Sequence, residues 1–477
     1  MNRRKVLIGT AAVAGGALLA AGGTGWAIMN APYPPYPDPP PPPATLTPAQ
    51  MRADIAAFAQ ALVEVGADPF ATCSRETFDR KRAEIEARCS ARRGIGAFFL
   101  AFAELIATLN DGHVGIGNTP YDWYRDGGGR GFPLGMRLDT DDSLVVFGDA
   151  SAEVPSGSLI VAIGDRAAAD LVRHSVATTG GQTPALRRLF ARPAHVLYAL
   201  DGARPAYRVT FTPPRGATRT VTLPALTSTE LAARTADRRA EPYRFHSTPD
   251  NIAIIDYNEC VDPPRFDAFL HDTFTRIRAA RPRAVVVDIR SNGGGSDRVN
   301  TRLWPYITRR AYGSPIGSRC RASARLKREY GWRTYTRLYD LRALFAGDGT
   351  IVDDPPSANL TTPRDNPLRY DGPTYMLIGP ATFSSALNCA LVAHDYGLVT
   401  LVGEETAEPV NGTGEVHYVA LPNSNLVASV TTKLFYSPAH PPGEGVKPQI
   451  VAKRTMRDAA LKRDPGLDAI RARIAAG

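Results

Sequence analysis

The segment that most constrains the fold runs from Thr374 to His394. There an apolar strand-like stretch, Thr374 to Ile378, passes through Gly379-Pro380-Ala381-Thr382-Phe383 into a helix-like stretch opening on Ser384-Ser385. A strand that gives way to a helix within a few residues belongs in a layered α/β arrangement. The flanking sequence repeats the alternation: Ile252 to Asp256, Phe266 to Ala279, Ala284 to Ile289, Ser384 to His394 and Val399 to Val402. At such a turn a serine has its hydroxyl exposed. The first N–H groups of the helix behind it are left to hold an anion.

Two distant segments supply what a nucleophilic serine needs. Asn110-Asp111-Gly112-His113-Val114-Gly115-Ile116-Gly117 sets a histidine in a glycine-rich turn between a helix-like run and a short apolar strand, a fitting place for a general base. Ala284 to Asp288 is a buried strand that runs through Ile289-Arg290-Ser291-Asn292 into Gly293-Gly294-Gly295. The unobstructed backbone N–H groups of that turn suit an oxyanion hole. Serine, histidine and donor turn together describe acyl transfer.

Upstream, Arg3-Arg4 precede a small-residue apolar stretch that ends near Ala27, and residues 1–30 read as a twin-arginine-type export signal or a single membrane anchor. Residues 31–46 are proline-rich and predict a stiff, solvated spacer. Residues 47–118 carry apolar residues at helical spacing, with Thr47-Pro48 and Ser74 as helix starts, and predict a helical bundle ending at Asp-Gly-His.

Residues 129–225 change to short β-like runs. With Gly131-Phe132-Pro133-Leu134 and Ser158 to Asp165 they resemble a PDZ-like domain, which implies capture of a peptide along a sheet edge and of its terminal carboxylate at the Gly131 turn. Pro133 supplies no donor there. Residues 226–477 form the α/β core, interrupted by a polar, Arg- and Tyr-rich stretch from Arg309 to Pro373 that reads as a lid or substrate loop. Its Arg319, Arg321, Arg325, Lys327 and Arg328 are placed to attract acidic chains.

The net charge of +9 comes from arginines scattered along the chain and gives a basic solvated surface, with no implication of nucleic acid. Five cysteines cannot all pair within one chain; Cys73 and Cys89 flank a helix-like segment and are the candidates for a disulfide, while Cys260 and Cys389 sit in apolar runs. No Cys-x-x-Cys or His-Glu-x-x-His spacing occurs, so no metal is expected, and the acyl-transfer reading calls for no organic cofactor.

From about residue 47 onward the chain resembles the C-terminal processing peptidases, in the branch that includes tricorn-type serine peptidases. The resemblance rests on Asp111-Gly112-His113, on Asp288 to Gly295, on Thr382-Phe383-Ser384-Ser385-Ala386, on Gly403-Glu404-Glu405-Thr406, on Leu421 to Ser424 and on Gly443 to Pro448. It implies a multi-domain α/β fold and an exported serine peptidase acting on polypeptides. Ser384 is then the nucleophile and Ser385 and Gly294 the oxyanion donors, with Gly293 and Gly295 as neighbours. Members that use a Ser-Lys dyad place a lysine shortly after Gly-Glu-x-Thr, where this chain reads Ala407-Glu408-Pro409-Val410. The histidine branch fits instead, with His113 as base, His440 as its rival, and Glu444 as the carboxylate that orients it. Asp111 reads as a turn residue.

Other classes fare worse. Asn292 to Ser296 does not fit a dinucleotide-binding Gly-x-Gly-x-x-Gly, and Phe383-Ser384-Ser385 lacks the glycines of the α/β-hydrolase elbow. A catalytically silent peptide-binding protein of the same fold is the alternative that remains.

Overall fold

The computed structural model describes residues 31–476 except 149–150, 152, 235–240 and 262. Residues 1–30, read above as an export signal or membrane anchor, lie outside the described residues. Among those described, no helix is long and apolar enough to cross a membrane.

Three helices, α1 (Pro48–Val65), α2 (Arg75–Arg88) and α3 (Ile95–Ala107), open the fold. Thr47 starts α1 by a reciprocal cap, taking the Gln50 N–H on its hydroxyl while Gln50 Oε1 takes the Thr47 N–H at 2.9 Å, and Pro48 needs no partner at the first position. Met51, Ile55, Phe58, Leu62 and Val65 recur at helical spacing and are buried. They do not close a bundle of their own. Their core is shared with Tyr335, Leu338 and Tyr339 and with Leu421, Leu426, Ala428 and Val430 from the second half of the chain.

The proline-rich stretch is not a free spacer. Thr334 Oγ1 donates to the Pro32 carbonyl at 3.0 Å, the Arg337 guanidinium lies 4.3 Å over the Tyr33 ring, and Tyr36 meets Tyr418 edge-on at 4.8 Å. The tyrosines between the prolines provide apolar surface worth burying.

The β-rich insert is an antiparallel sheet in the order β1 (Met136–Leu138), β2 (Leu144–Val146), β3 (Leu159–Ile163), β4 (Ala206–Thr212), β5 (Arg219–Pro224). Between β3 and β4 run the helices α4 (Ala168–Ala177), α5 (Pro184–Phe190) and α6 (Pro193–Asp201). The Gly131 turn is closed to a peptide terminus: the Gly131 N–H donates to the Leu226 carbonyl at 2.9 Å, and Phe132 and Leu134 are buried.

The central sheet comprises β6 (Tyr243–Ser247), β7 (Ile252–Tyr257), β8 (Ala284–Asp288), β9 (Thr374–Ile378), β10 (Thr400–Gly403) and β11 (Ile450–Val451), in the spatial order β11-β10-β9-β8-β7-β6. All pairings are parallel except β6 with β7. Val285 and Val287 face a core with Phe266, Leu270 and Phe274 of the helix Pro263–Ala280, and Val286 faces the opposite side with Ile254, Leu377 and Ile470. Cover on both faces is what an uninterrupted apolar strand requires. Because β8 and β9 are neighbours, the triple-glycine turn and the Ser384 turn leave the sheet side by side at its carboxyl edge, where α/β sheets build sites.

Arg309 to Pro373 is not a loose lid. It contains the strands Gly317–Arg321 and Ile351–Asp354, which extend an antiparallel sheet with Val427–Tyr436 and Gly412–Ala420. The helical segment Ala324–Tyr339, broken at Gly331, buries Leu326, Tyr335, Leu338 and Tyr339 against the N-terminal helices. Its arginines are largely engaged: Arg319 pairs with Asp353, Arg325 with Glu64 and Glu329, and Arg321 donates to the Gly66 and Gly349 carbonyls. All five cysteines are free thiols, Cys73 and Cys89 included. Cys320, like Cys260 and Cys389, is buried.

Candidate active site

Ser384 sits at the head of the helix Ser385–Asp395 with φ 56 and ψ −124, a conformation that a residue with a side chain adopts only when its surroundings impose it. The surroundings here are specific. Thr382 Oγ1 donates to the Ile289 carbonyl at 3.0 Å and the Phe383 N–H to the Asn292 carbonyl at 3.0 Å, which ties the serine turn to the glycine turn. Ser385 Oγ donates to the Gly295 carbonyl at 2.8 Å, and the Ser384 N–H donates to Glu408 Oε2.

The glycine turn touches the serine directly. A Cβ on Gly294, at φ +96, would lie 2.8 Å from Ser384 Cβ and 3.0 Å from the Ser385 nitrogen, so only glycine fits. In this structure the Gly294 N–H donates to Asn292 Oδ1 at 2.9 Å. Gly295, at φ +137, backs onto the Cys260 carbonyl, and Gly293 faces open space.

His113 reaches the same place from the turn after α3. Asn110 at φ 52 redirects the chain, and Asp111 Oδ1 accepts the His113 N–H at 2.8 Å. Asp111 Oδ2 accepts from the Thr413 hydroxyl at 2.5 Å and the Thr431 hydroxyl at 3.1 Å, so this buried carboxylate is a fastener of the turn. Ser429 Oγ donates to the His113 carbonyl at 2.8 Å. The imidazole stacks on Phe383, ring centres 4.4 Å apart, and its Nδ1 lies 3.5 Å from Glu408 Oε1. Burial holds the imidazole below its usual range, with the Asp111 charge opposing.

His113, Ser384, Glu408, Gly414, Glu415 and Phe435 line one cavity of about 30 Å³. That admits a water molecule or two and falls far short of a peptide. Glu408 is buried there, and burial, reinforced by the Asp111 charge and opposed by the Ser384 N–H, pushes its carboxyl up to about 8.

The structure therefore brings Ser384, Ser385, Gly294 and His113 together, and it does not bring Glu444 to His113. Glu444 is on the surface, its carboxylate paired with Lys447 at 2.6 Å, and only its carbonyl faces inward, accepting the Val410 N–H at 2.9 Å. The preceding Gly443, at φ +82, turns the chain at that point. The carboxylate beside His113 is Glu408, which the sequence reading passed over beside Pro409. His440 is also elsewhere, bonded through Nε2 to Asp395 at 3.0 Å.

Residues 251–452 match the profile of Peptidase family S41. No curated protein matches the chain. Among solved structures, mature CPAF superposes with a TM-score of 0.58 at 15% identity, over 87% of this chain and 94% of that one. Mature CPAF complexed with lactacystin superposes with a TM-score of 0.59 at 15% identity, over 90% of this chain and 98% of that one. At such identities the likeness is one of fold.

Proposed function

Because the chain belongs to Peptidase family S41, the C-terminal processing peptidases, we propose that it cleaves polypeptides as a serine peptidase, through an acyl-enzyme on Ser384. The observation that carries this reading is a serine held at positive φ at the head of a helix, in one cavity with a buried histidine stacked on the preceding phenylalanine.

The chemistry follows from the arrangement. Ser384 Oγ attacks the peptide carbonyl while His113, through Nε2, takes the hydroxyl proton; His113 then returns it to the departing amine, and water reverses the sequence to release the acyl group. The developing oxyanion is held by the Ser385 N–H and by Gly294, whose amide must leave Asn292 Oδ1 to donate. No organic or metal cofactor takes part in these steps. Export belongs to the proposal too, supported by Arg3-Arg4 ahead of an apolar stretch.

Ser384→Ala tests the reading. Hydrolysis of fluorescently labelled casein should fall by several orders of magnitude with the circular dichroism spectrum and melting temperature unchanged. Turnover at the parent rate would refute it.

A further inference from the structure

Glu408 stands between the two residues assigned to the chemistry, on the loop that follows β10. Its Oε2 accepts the Ser384 N–H, and its Oε1 lies 3.5 Å from His113 Nδ1. The loop is fastened: Thr406 Oγ1 donates to the Glu408 carbonyl at 2.9 Å, and the Thr406 N–H donates to the Val446 carbonyl at 3.1 Å. The side chain is only 6% exposed and has no Lys or Arg within ion-pair distance among the described residues. Such a carboxylate costs stability, which an amide of the same shape would not.

Of the other acids, Asp111 and Glu444 are committed elsewhere, and Glu415, which lines the same cavity, has Lys433 at 3.8 Å. Asp111 spends its oxygens on the His113 backbone, Thr413 and Thr431; Glu444 is outside with Lys447.

Resting on the Ser384 and His113 reading above, we infer that Glu408 is a positioning residue with two tasks. One oxygen holds the Ser384 amide, and so the left-handed backbone of the nucleophile; the other orients His113 through Nδ1 and stabilises the imidazolium formed when Ser384 gives up its proton. A single side chain thereby sets nucleophile and base relative to each other. As an anion, Glu408 accepts the Nδ1 proton and leaves Nε2 bare for the serine; protonated, it cannot.

Burial sets when it ionises, opposed by the Ser384 N–H and reinforced by the Asp111 charge. Asp111 faces it from the turn after α3, and Glu415 faces the same cavity from the strand Gly412–Ala420, with Lys433 at 3.8 Å behind it. Burial disfavours the charged form of His113, with the Asp111 charge opposing. Activity is thus expected to rise with pH until Glu408 has lost its proton, near 8.

The test uses the full-length protein and its Glu408→Gln, Glu408→Ala, Glu444→Gln and Ser384→Ala variants. Casein hydrolysis and the rate of labelling by a fluorophosphonate are followed from pH 5 to 9. Glutamine keeps an acceptor for the Ser384 amide and removes the charge, so it should fold as the parent does. It should lower kcat by roughly 10²- to 10⁴-fold with KM within about threefold, and shift the acid limb down by more than one unit. Glu444→Gln should stay within about twofold. Parent kcat and an unmoved limb in Glu408→Gln, or a loss that follows Glu444→Gln instead, would overturn the assignment. The two readings fail separately: an active Ser384→Ala removes the serine mechanism, whereas an inactive Ser384→Ala beside a fully active Glu408→Gln removes only the role of Glu408.

Discussion

Replacing Glu408 by glutamine should stabilise the fold increasingly as pH rises. In the unfolded chain this carboxyl loses its proton near 4.5, and in the fold it keeps it until about 8. Below the lower value both states are protonated and the carboxyl makes no pH-dependent difference. Between the two values the folded state holds one proton more than the unfolded state, so stability drains away by ~1.4 kcal/mol per pH unit, and the loss is complete above the upper value. From pH 5 to pH 7 the parent should therefore lose about 3 kcal/mol relative to Glu408→Gln, which has no such proton. Urea unfolding followed by tryptophan fluorescence at pH 5, 6 and 7 measures this directly, since the contribution of His113 is common to both proteins. Parallel pH dependences would show that Glu408 is ionised in the fold at neutral pH, and the account of its burial would fail.

Other outcomes follow from particular contacts. Gly294→Ala places a Cβ 2.8 Å from Ser384 Cβ at φ +96, so fluorophosphonate labelling should be lost and stability should drop by about 1–3 kcal/mol; an alanine variant that labels normally would mean the turn is not part of the site. Asp54, buried in α1, accepts the Asn423 N–H and side-chain amide at 2.9 Å each and the Ser424 N–H at 2.8 Å. Asp54→Ala leaves those donors unpaired and should cost about 3 kcal/mol in a melting experiment, a change of a few tenths being the contrary result. Changing Arg3-Arg4 to Lys-Lys should retain the protein in the cytoplasm on fractionation, and normal export would exclude a twin-arginine signal.

What the sequence makes legible is what backbone patterning controls. Thr374 to Ile378 and Ala284 to Asp288 read as strands, and their adjacency brings the serine and glycine turns together. Side-chain direction is harder to read. The positive φ at Gly443 and the pairing with Lys447 leave Glu444 outside, while Glu408, close in sequence to the Gly-Glu-x-Thr motif, points inward. The available signal is an acid set among Ala407, Pro409 and Val410, in a run with no cation to pair with it. The Arg-rich stretch misleads for a related reason: its charges outnumber the apolar residues Leu326, Tyr335, Leu338 and Tyr339, whose helical spacing places them in a core the composition does not advertise. Likewise Tyr33 and Tyr36 anchor a segment whose prolines suggest a free spacer.

The central claim is that Ser384 is a nucleophile activated by His113, and covalent labelling tests it most directly. The purified protein is treated with a fluorophosphonate at pH 8 and the modified peptide is sequenced by mass spectrometry. The account predicts one phosphonylated residue, Ser384, with labelling abolished in Ser384→Ala and strongly slowed in His113→Ala. Labelling at another serine, or a His113→Ala variant that labels as fast as the parent, would contradict it.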